Sequence, residues 1–247
     1  MKTPIGIILL LFLFSPVAIA GVCEEAELSH LPLPPGVTPE VVSQKEVNGM
    51  CEFIIRLSSY PGLFSLYGTR DFVISGSMFK EKKEISKESI AEVERDEFFA
   101  LKPELDRLAA FSYQPKEVKR TAYLFTDPDC PYCNRAKKLI KQFAEGEKLE
   151  VKFIFSPIHP AGKAKAISGI CGGITFEDYL NEKYGDRTCA KGEDNLRRTQ
   201  EIAFRLGVSG TPTVILDDGK KLIGLNFPAL KESITQTRLT KQTKLTK

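Results

Sequence analysis

The sequence predicts an α+β chain of two unlike modules: a small N-terminal antiparallel sheet and a larger C-terminal unit in which strands and helices alternate. Three observations carry this. Residues 50–75 hold three short apolar strand patterns, MCEFIIRL, GLFSLY and DFVIS, separated by turn residues. Residues 121–155 read as strand, loop, helix and strand, with Cys-Pro-Tyr-Cys where the helix begins. Residues 209–224, SGTPTVILDDGKKLIG, read as a hairpin around Asp217-Asp218-Gly219.

Bulk properties narrow the field. The chain has 247 residues, 42% apolar and 27% charged, within the ordinary range for a globular protein. A formal charge of +3 predicts no nucleic-acid partner. Two histidines, His30 and His159, leave little material for histidine-based metal or triad chemistry.

Taken in order, residues 1–20 have the pattern of a signal peptide. Lys2 gives the positive start, an apolar run follows, Ser15-Pro16 breaks it, and Ala18-Ile19-Ala20 offers a small-residue cleavage site. The run is shorter than the ~20 residues a spanning helix needs. An uncleaved anchor or a lipid on Cys23 is the weaker reading, since Val22 stands where a lipidation site needs a small residue. Export places the chain where disulfides persist.

Residues 21–79 form the expected N-terminal module. Its lead, 21–40, is proline-rich and reads as irregular or partly helical; the three strands follow, with Gly68-Thr69-Arg70 as a turn. So small a unit buries little surface alone and is expected to gain stability from a partner, for instance a second copy. Residues 80–116 read as a helical linker: Ser86 as cap, Ile90, Val93 and Phe98 on one face, a bend or restart at Pro103, then Leu105, Leu108 and Phe111. Charge between residues 80 and 97 predicts a solvated helix; the competing reading packs it on the C-terminal unit.

Residues 117–236 form the second module. After its first strand and helix, Leu149–Phe155 reads as a buried strand, and 156–209 as a mostly helical insertion in which Leu196, Thr199, Ala203 and Leu206 share a face. The hairpin and a closing helix from Pro228 to about Ile234 follow, and a basic tail, 237–247, is expected to fray.

The chemistry centres on Cys130 and Cys133. A helix N-terminus has unpaired N–H groups and a dipole that stabilise negative charge, so a thiol there ionises more readily, and the thiolate is the species that attacks disulfides. Pro131 suits the first helical turn, and Cys133 is spaced to close a ring onto Cys130 and release a trapped partner. Half a zinc site is the competitor. It needs two more ligands, and Cys171 and Cys189 lack paired-knuckle spacing, so no metal is expected. Thr211-Pro212, after Gly210, suggests a cis-proline loop facing the thiolate, with backbone groups open to a substrate strand. Asp127 and Asp129 read as solvated loop residues rather than proton-transfer groups, and Tyr132 as a packing and substrate-contact residue. His159 reads as a surface residue, and Lys137 and Lys138 as the solvated helix face. Cys171 and Cys189, as a local disulfide, would close a loop worth about 3 kcal/mol. Cys23 and Cys51 remain, with a bridge between them left open.

These residues resemble a family. FTDPDCPYC, the Cys171/Cys189 pair, LGVSGTPTVILDDGK and GLNFPAL are similar to the periplasmic disulfide isomerases DsbC and DsbG of the thioredoxin superfamily, over roughly residues 45–235. The resemblance implies a thioredoxin-like fold with a helical insertion, joined by a helical linker to a cystatin-like N-terminal dimerisation domain. It implies Cys130 as attacking thiolate, Cys133 as resolving thiol, Pro131 and Tyr132 as tuning residues, Thr211 and Pro212 as the substrate-binding loop, and Cys171–Cys189 as a structural disulfide. It also implies a periplasmic homodimer acting on unfolded or misoxidised secreted proteins. A membrane reductase of the DsbD type would keep it reduced, with no cofactor beyond its own cysteine pair. Pro131-Tyr132 matches DsbG, whereas the second cysteine pair matches DsbC, and Cys23 and Cys51 lie outside the family pattern. The rival functions are a DsbA-like dithiol oxidase, a DsbG-like reductase of sulfenic acids and a non-catalytic holding chaperone.

Overall fold

A computed structural model describes residues 21–245; the expected signal peptide lies outside them. The chain begins with a short helix, α1 (Val22–Glu25), and a four-stranded antiparallel meander: β1 (Pro39–Val47), β2 (Met50–Leu57), β3 (Tyr60–Gly68) and β4 (Val73–Ser75). Strand β2 is central and buried on both faces, which is why MCEFIIRL is a near-continuous apolar run. Strand β1 is a finding the sequence pattern hides, because most of it is exposed and PEVVSQKEV carries no apolar stripe. Its turn is legible: Asn48 and Gly49, both at positive φ, make the two-residue connection between paired Val47 and Met50. The proline-rich lead packs Cys23, Ala26, Leu28 and Leu31 on Cys51, Phe53, Ile55 and Leu66, on one face of this sheet.

A small hairpin, β5 (Phe79–Lys80) and β6 (Lys83–Glu84), leads into α2 (Ile85–Leu108). Two expectations fail here. Glu84, not Ser86, occupies the cap position; Ser86 is buried, with its Oγ 2.6 Å from the Tyr67 hydroxyl. Nor is the segment a solvated linker. Phe98, Leu101, Leu105 and Leu108 form a buried stripe along α2, against Tyr123, Phe125, Ile154 and Ile202 of the C-terminal unit. The helix runs through Pro103 without ending. The charge before residue 98 conceals this stripe. In its first half, Glu97 pairs with the buried Arg56 of β2 at 2.6 Å, and Glu94 with Lys221 at 2.6 Å, so α2 joins both sheets.

The C-terminal unit comprises β7 (Phe111–Tyr113), β8 (Arg120–Thr126), α3 (Pro131–Glu147), β9 (Leu149–Phe155), α4 (Pro160–Gly172), α5 (Phe176–Leu180), α6 (Ala190–Arg205), β10 (Thr213–Leu216), β11 (Lys221–Ile223) and α7 (Phe227–Leu245). Its strands lie in the order β11-β10-β8-β9-β7, with β8 and β9 parallel and the other pairings antiparallel. Because β7 belongs to this sheet, the unit starts before residue 117, inside the segment that the pattern gives to the linker. Residues of β8 alternate between two cores: Ala122 and Leu124 face one, Tyr123 and Phe125 the other. Helix α2 and much of α6 cover one face, and α3, α5 and α7 the other. The insertion is helical as expected, in α4, α5 and α6. Helix α7 runs to Leu245, well past residue 234, through a stretch with no glycine or proline to stop it. Among the described residues no helix is long and apolar enough to cross a membrane.

Candidate functional site

Strand β8 ends at Thr126, the chain turns through Asp127-Pro128-Asp129, and Cys130 takes the N-cap of α3 with φ −78° and ψ 121°. Pro131 follows at the first helical turn, where its missing N–H leaves no intrahelical bond unmade. Cys130 and Cys133 are both free thiols, 3% and 2% exposed. The Cys130 thiol donates to the Thr211 carbonyl at 3.4 Å, and the Thr211–Pro212 peptide bond is cis. Residues far apart in sequence, Cys130, Cys133, Thr211 and Pro212, therefore meet at one point. Burial pushes the Cys133 thiol up to about 11; the adjacent Cys130 sulfur adds to this, and the Asp127 backbone and Thr126 hydroxyl oppose it.

A groove of about 410 Å³ opens beside the thiols, lined by Tyr132, Arg135, Leu139, Thr211, Pro212, Ile223, Leu225 and Phe227. Tyr132 is 67% exposed at its rim, with the Arg135 guanidinium 4.5 Å from its ring centre. Apolar walls with a few polar groups suit an extended peptide segment.

The structure corrects three readings of the neighbouring residues. Asp127 is not solvated but fully buried. It accepts from the backbone N–H groups of Asp129 at 2.9 Å, Ile158 at 3.0 Å and His159 at 3.1 Å, and its Oδ2 lies 2.6 Å from His159 Nδ1. A Cβ on Gly162 would come within 1.9 Å of Asp127 Oδ1, so glycine there admits the carboxylate. Asp127 thus ties the Cys-Pro-Tyr-Cys turn to the start of α4. His159 is the N-cap of α4 and partly exposed, yet it is engaged with Asp127 rather than idle at the surface. Lys137 is the third: buried, with Nζ donating to the Tyr184 hydroxyl at 3.1 Å. Burial pushes its ammonium below the usual lysine range, against the pull of Glu182. Asp129, more open, pairs with Lys165 at 2.6 Å, and that bond holds its carboxyl below the usual carboxylate range.

The remaining cysteines are bonded. Cys171–Cys189 joins the end of α4 to the N-cap of α6, with S–S 1.99 Å. Cys23–Cys51 joins α1 to β2, with S–S 2.00 Å. Among the described residues no group of three metal-ligating side chains is gathered.

Sequence reasoning missed Lys137, Tyr179, Tyr184 and the burial of Asp127. One signal was available: Cys133, Lys137, Ile140 and Ala144 recur at helical spacing and are the buried face of α3. The spacing of Ala136, Leu139, Ile140 and Phe143 competes with it, and Leu139 turns out exposed, at the groove.

A parallel βαβ unit, flanking antiparallel strands and helices on both faces, with two thiols opening α3, define a class of fold. The thioredoxin-like domain model matches residues 109–232, half of the chain, and the chain belongs to that family. Among solved structures it is similar to the thiol-disulfide exchange protein α-DsbA2 from Wolbachia pipientis, with TM-score 0.50 and 18% identity, covering 60% of this chain and 98% of that one. A disulfide interchange protein from Neisseria gonorrhoeae gives 0.42 and 23%, covering 51% and 92%. DsbG from Helicobacter pylori gives 0.41 and 15%, covering 74% and 95%. At these identities the likeness is one of fold. No curated protein matches the chain.

Proposed function

We propose that this protein is an exported thiol:disulfide interchange enzyme that isomerises or reduces incorrect disulfides in secreted proteins, in the manner of DsbC and DsbG. One observation carries the reading. Cys130 caps α3 with its sulfur 3.4 Å from the Thr211 carbonyl, and Cys133 stands free one turn further on. The Cys130 thiolate attacks one sulfur of a substrate disulfide; that S–S bond breaks, the other substrate sulfur leaves as a thiolate, and a mixed disulfide remains on Cys130. A substrate thiolate then attacks and reshuffles the bridge, or Cys133 closes onto Cys130 and the substrate leaves reduced.

Substrate backbone pairs with the loop at Thr211 and Pro212, with its side chains along the groove. The similar protein from Wolbachia pipientis, a thiol-disulfide exchange protein, agrees with this chemistry. Homodimerisation through the N-terminal sheet belongs to the same proposal. Val41 and Phe64 flank Ile55 across the strands and stay exposed there, an apolar patch a second copy would cover. Periplasmic export and recycling by a membrane reductase of the DsbD type complete it.

The test is refolding of a scrambled multi-disulfide protein, with gel filtration of the same sample. The wild type is expected to restore native pairing as a dimer, and Cys130→Ser to lose the activity entirely. A Cys130–Cys133 pair found fully oxidised in the cell, with net oxidation of reduced substrates, would replace isomerisation with dithiol oxidation. Suppressed aggregation without any reshuffling would leave only a holding chaperone.

A further inference from the structure

Lys137 follows Cys133 by one helical turn, on the same face of α3. Its side chain is 4% exposed. Both residues border one close-packed interior region, with Leu124, Ile140, Tyr179 and Leu225 around them. Three groups hold the ammonium there: the Tyr184 hydroxyl at 3.1 Å, the Tyr179 ring with its centre 4.4 Å away, and Glu182 Oε1 at 3.6 Å. All three belong to the stretch that the Cys171–Cys189 disulfide closes. On its other side, Tyr179 Oη lies 2.9 Å from Thr126 Oγ1, and Thr126 and Cys133 line the same interior.

A buried ammonium is costly unless it is paired. Glu182 alone does not explain the position, because that carboxylate is 59% exposed and an outward lysine would meet it in water. What the burial achieves is a positive charge in the same low-dielectric space as Cys133, whose own burial opposes ionisation.

We propose that Lys137 supplies the charge that lets buried Cys133 ionise in the resolving step, as a positioning residue acting through Cys133. This rests on the thiol-exchange reading of Cys130 and Cys133 given above. In that step Cys133 loses its proton to solvent and its thiolate attacks Cys130 Sγ. The bond from Cys130 to the substrate sulfur breaks, its electron pair leaving with the substrate thiolate. The cysteine pair is oxidised by two electrons and the substrate is reduced. Lys137 keeps its proton throughout. Of the surrounding charges, Glu182 offsets the cation, Lys165 adds positive field, Asp127 and Asp129 act on Tyr184, and the Cys130 sulfur raises Cys133.

The test uses the full-length reduced protein in excess over the chromogenic disulfide DTNB, in a stopped-flow instrument. A bimolecular phase reports attack by Cys130, and a later unimolecular phase reports resolution by Cys133. An opposite charge in the same buried space favours the thiolate, so Lys137→Met is expected to slow the second phase about tenfold near neutral pH. Its pH profile should move upward, and the first phase should stay within about twofold. Lys137→Arg, which keeps the charge, is expected to leave the second phase within about twofold of the wild type. Wild-type resolution and pH profile in Lys137→Met would overturn the proposal, as would equal slowing of both phases with a lowered melting temperature. Should Lys137→Met not fold, Lys137→Gln decides: a second phase at the wild-type rate overturns it. A wild type that shows no first phase would remove the thiol-exchange reading itself, and this inference with it.

Discussion

The two sheets of this protein solve the same problem differently. The five-stranded sheet has a helical layer on each face, and its central strands send alternate residues into two separate cores. The four-stranded sheet has α2 against part of one face and only the proline-rich lead and a disulfide on the other; its own cluster holds four fully buried apolar residues. Large apolar side chains stay exposed around it, Val41, Phe64, Phe72, Ile74 and Phe79. The contrast shows where stability is generated and where apolar surface stays open. The thiol site sits on the sheet that is covered twice, so its geometry is held by the better-packed half.

Hollowing out the covered sheet should have the largest effect. Phe153, fully buried among Phe111, Phe176 and Tyr179, is central to one core. Phe153→Ala is expected to cost about 3–5 kcal/mol in denaturant unfolding and to disturb the thiol site with it. A smaller loss, with the site intact, would mean that the two halves are less unequal than their burial indicates.

Next is the disulfide on the less covered sheet. Replacing Cys23 and Cys51 by alanine opens a loop spanning a sequence separation of 28. The chain-entropy model puts the loss at about 3–4 kcal/mol. Amide exchange should accelerate in β1 to β4 while α3, β8 and β9 keep their protection. Uniform acceleration across both sheets would contradict the separation drawn here.

A third test concerns pH. The reduced protein holds the Cys133 proton more tightly folded than unfolded, since burial pushes that thiol up to about 11. The folded state then binds more protons, so this stabilisation is complete below about pH 8.5 and lost as pH rises towards 11. The loss amounts to about 3 kcal/mol. Unfolding measured from pH 8 to 11 should decline less steeply in Cys133→Ala than in the wild type.

The smallest expected effect on stability lies at the open face. Phe64→Ser should change unfolding free energy by no more than about 0.5 kcal/mol in the monomer. On the dimer reading it should shift gel filtration towards the smaller species; an unchanged elution volume would place the interface elsewhere.

Much of this architecture was legible in the sequence, and what was hidden has physical causes. The order of strand and helix from residue 120 onward follows from uninterrupted apolar runs in central strands and from breakers between them. Cys130, Cys133, Thr211 and Pro212 stood out because chemistry-bearing residues met turn signals. Strand β1 was hidden because an edge strand with most of its residues in water needs no apolar pattern, even though Asn48-Gly49 announced its turn. The packing of α2 was hidden because its first half is charged on the outside, and those charges include the pairs that join it to Arg56 and Lys221. Asp127 and Lys137 were misplaced for one reason: charged residues are usually solvated, and these two are buried with partners from distant segments, which no local pattern reveals.

The most direct test of the central claim is covalent trapping. Cys133→Ala leaves Cys130 able to attack but removes the thiol that would release the product. Expressed as the full-length chain in a bacterial host, this variant is expected to accumulate mixed disulfides with host proteins, reducible by dithiothreitol and mapped by mass spectrometry to Cys130. If no such adducts form, or if the trapped sulfur is Cys171 or Cys189 instead, Cys130 is not the attacking group and the account of this site is wrong.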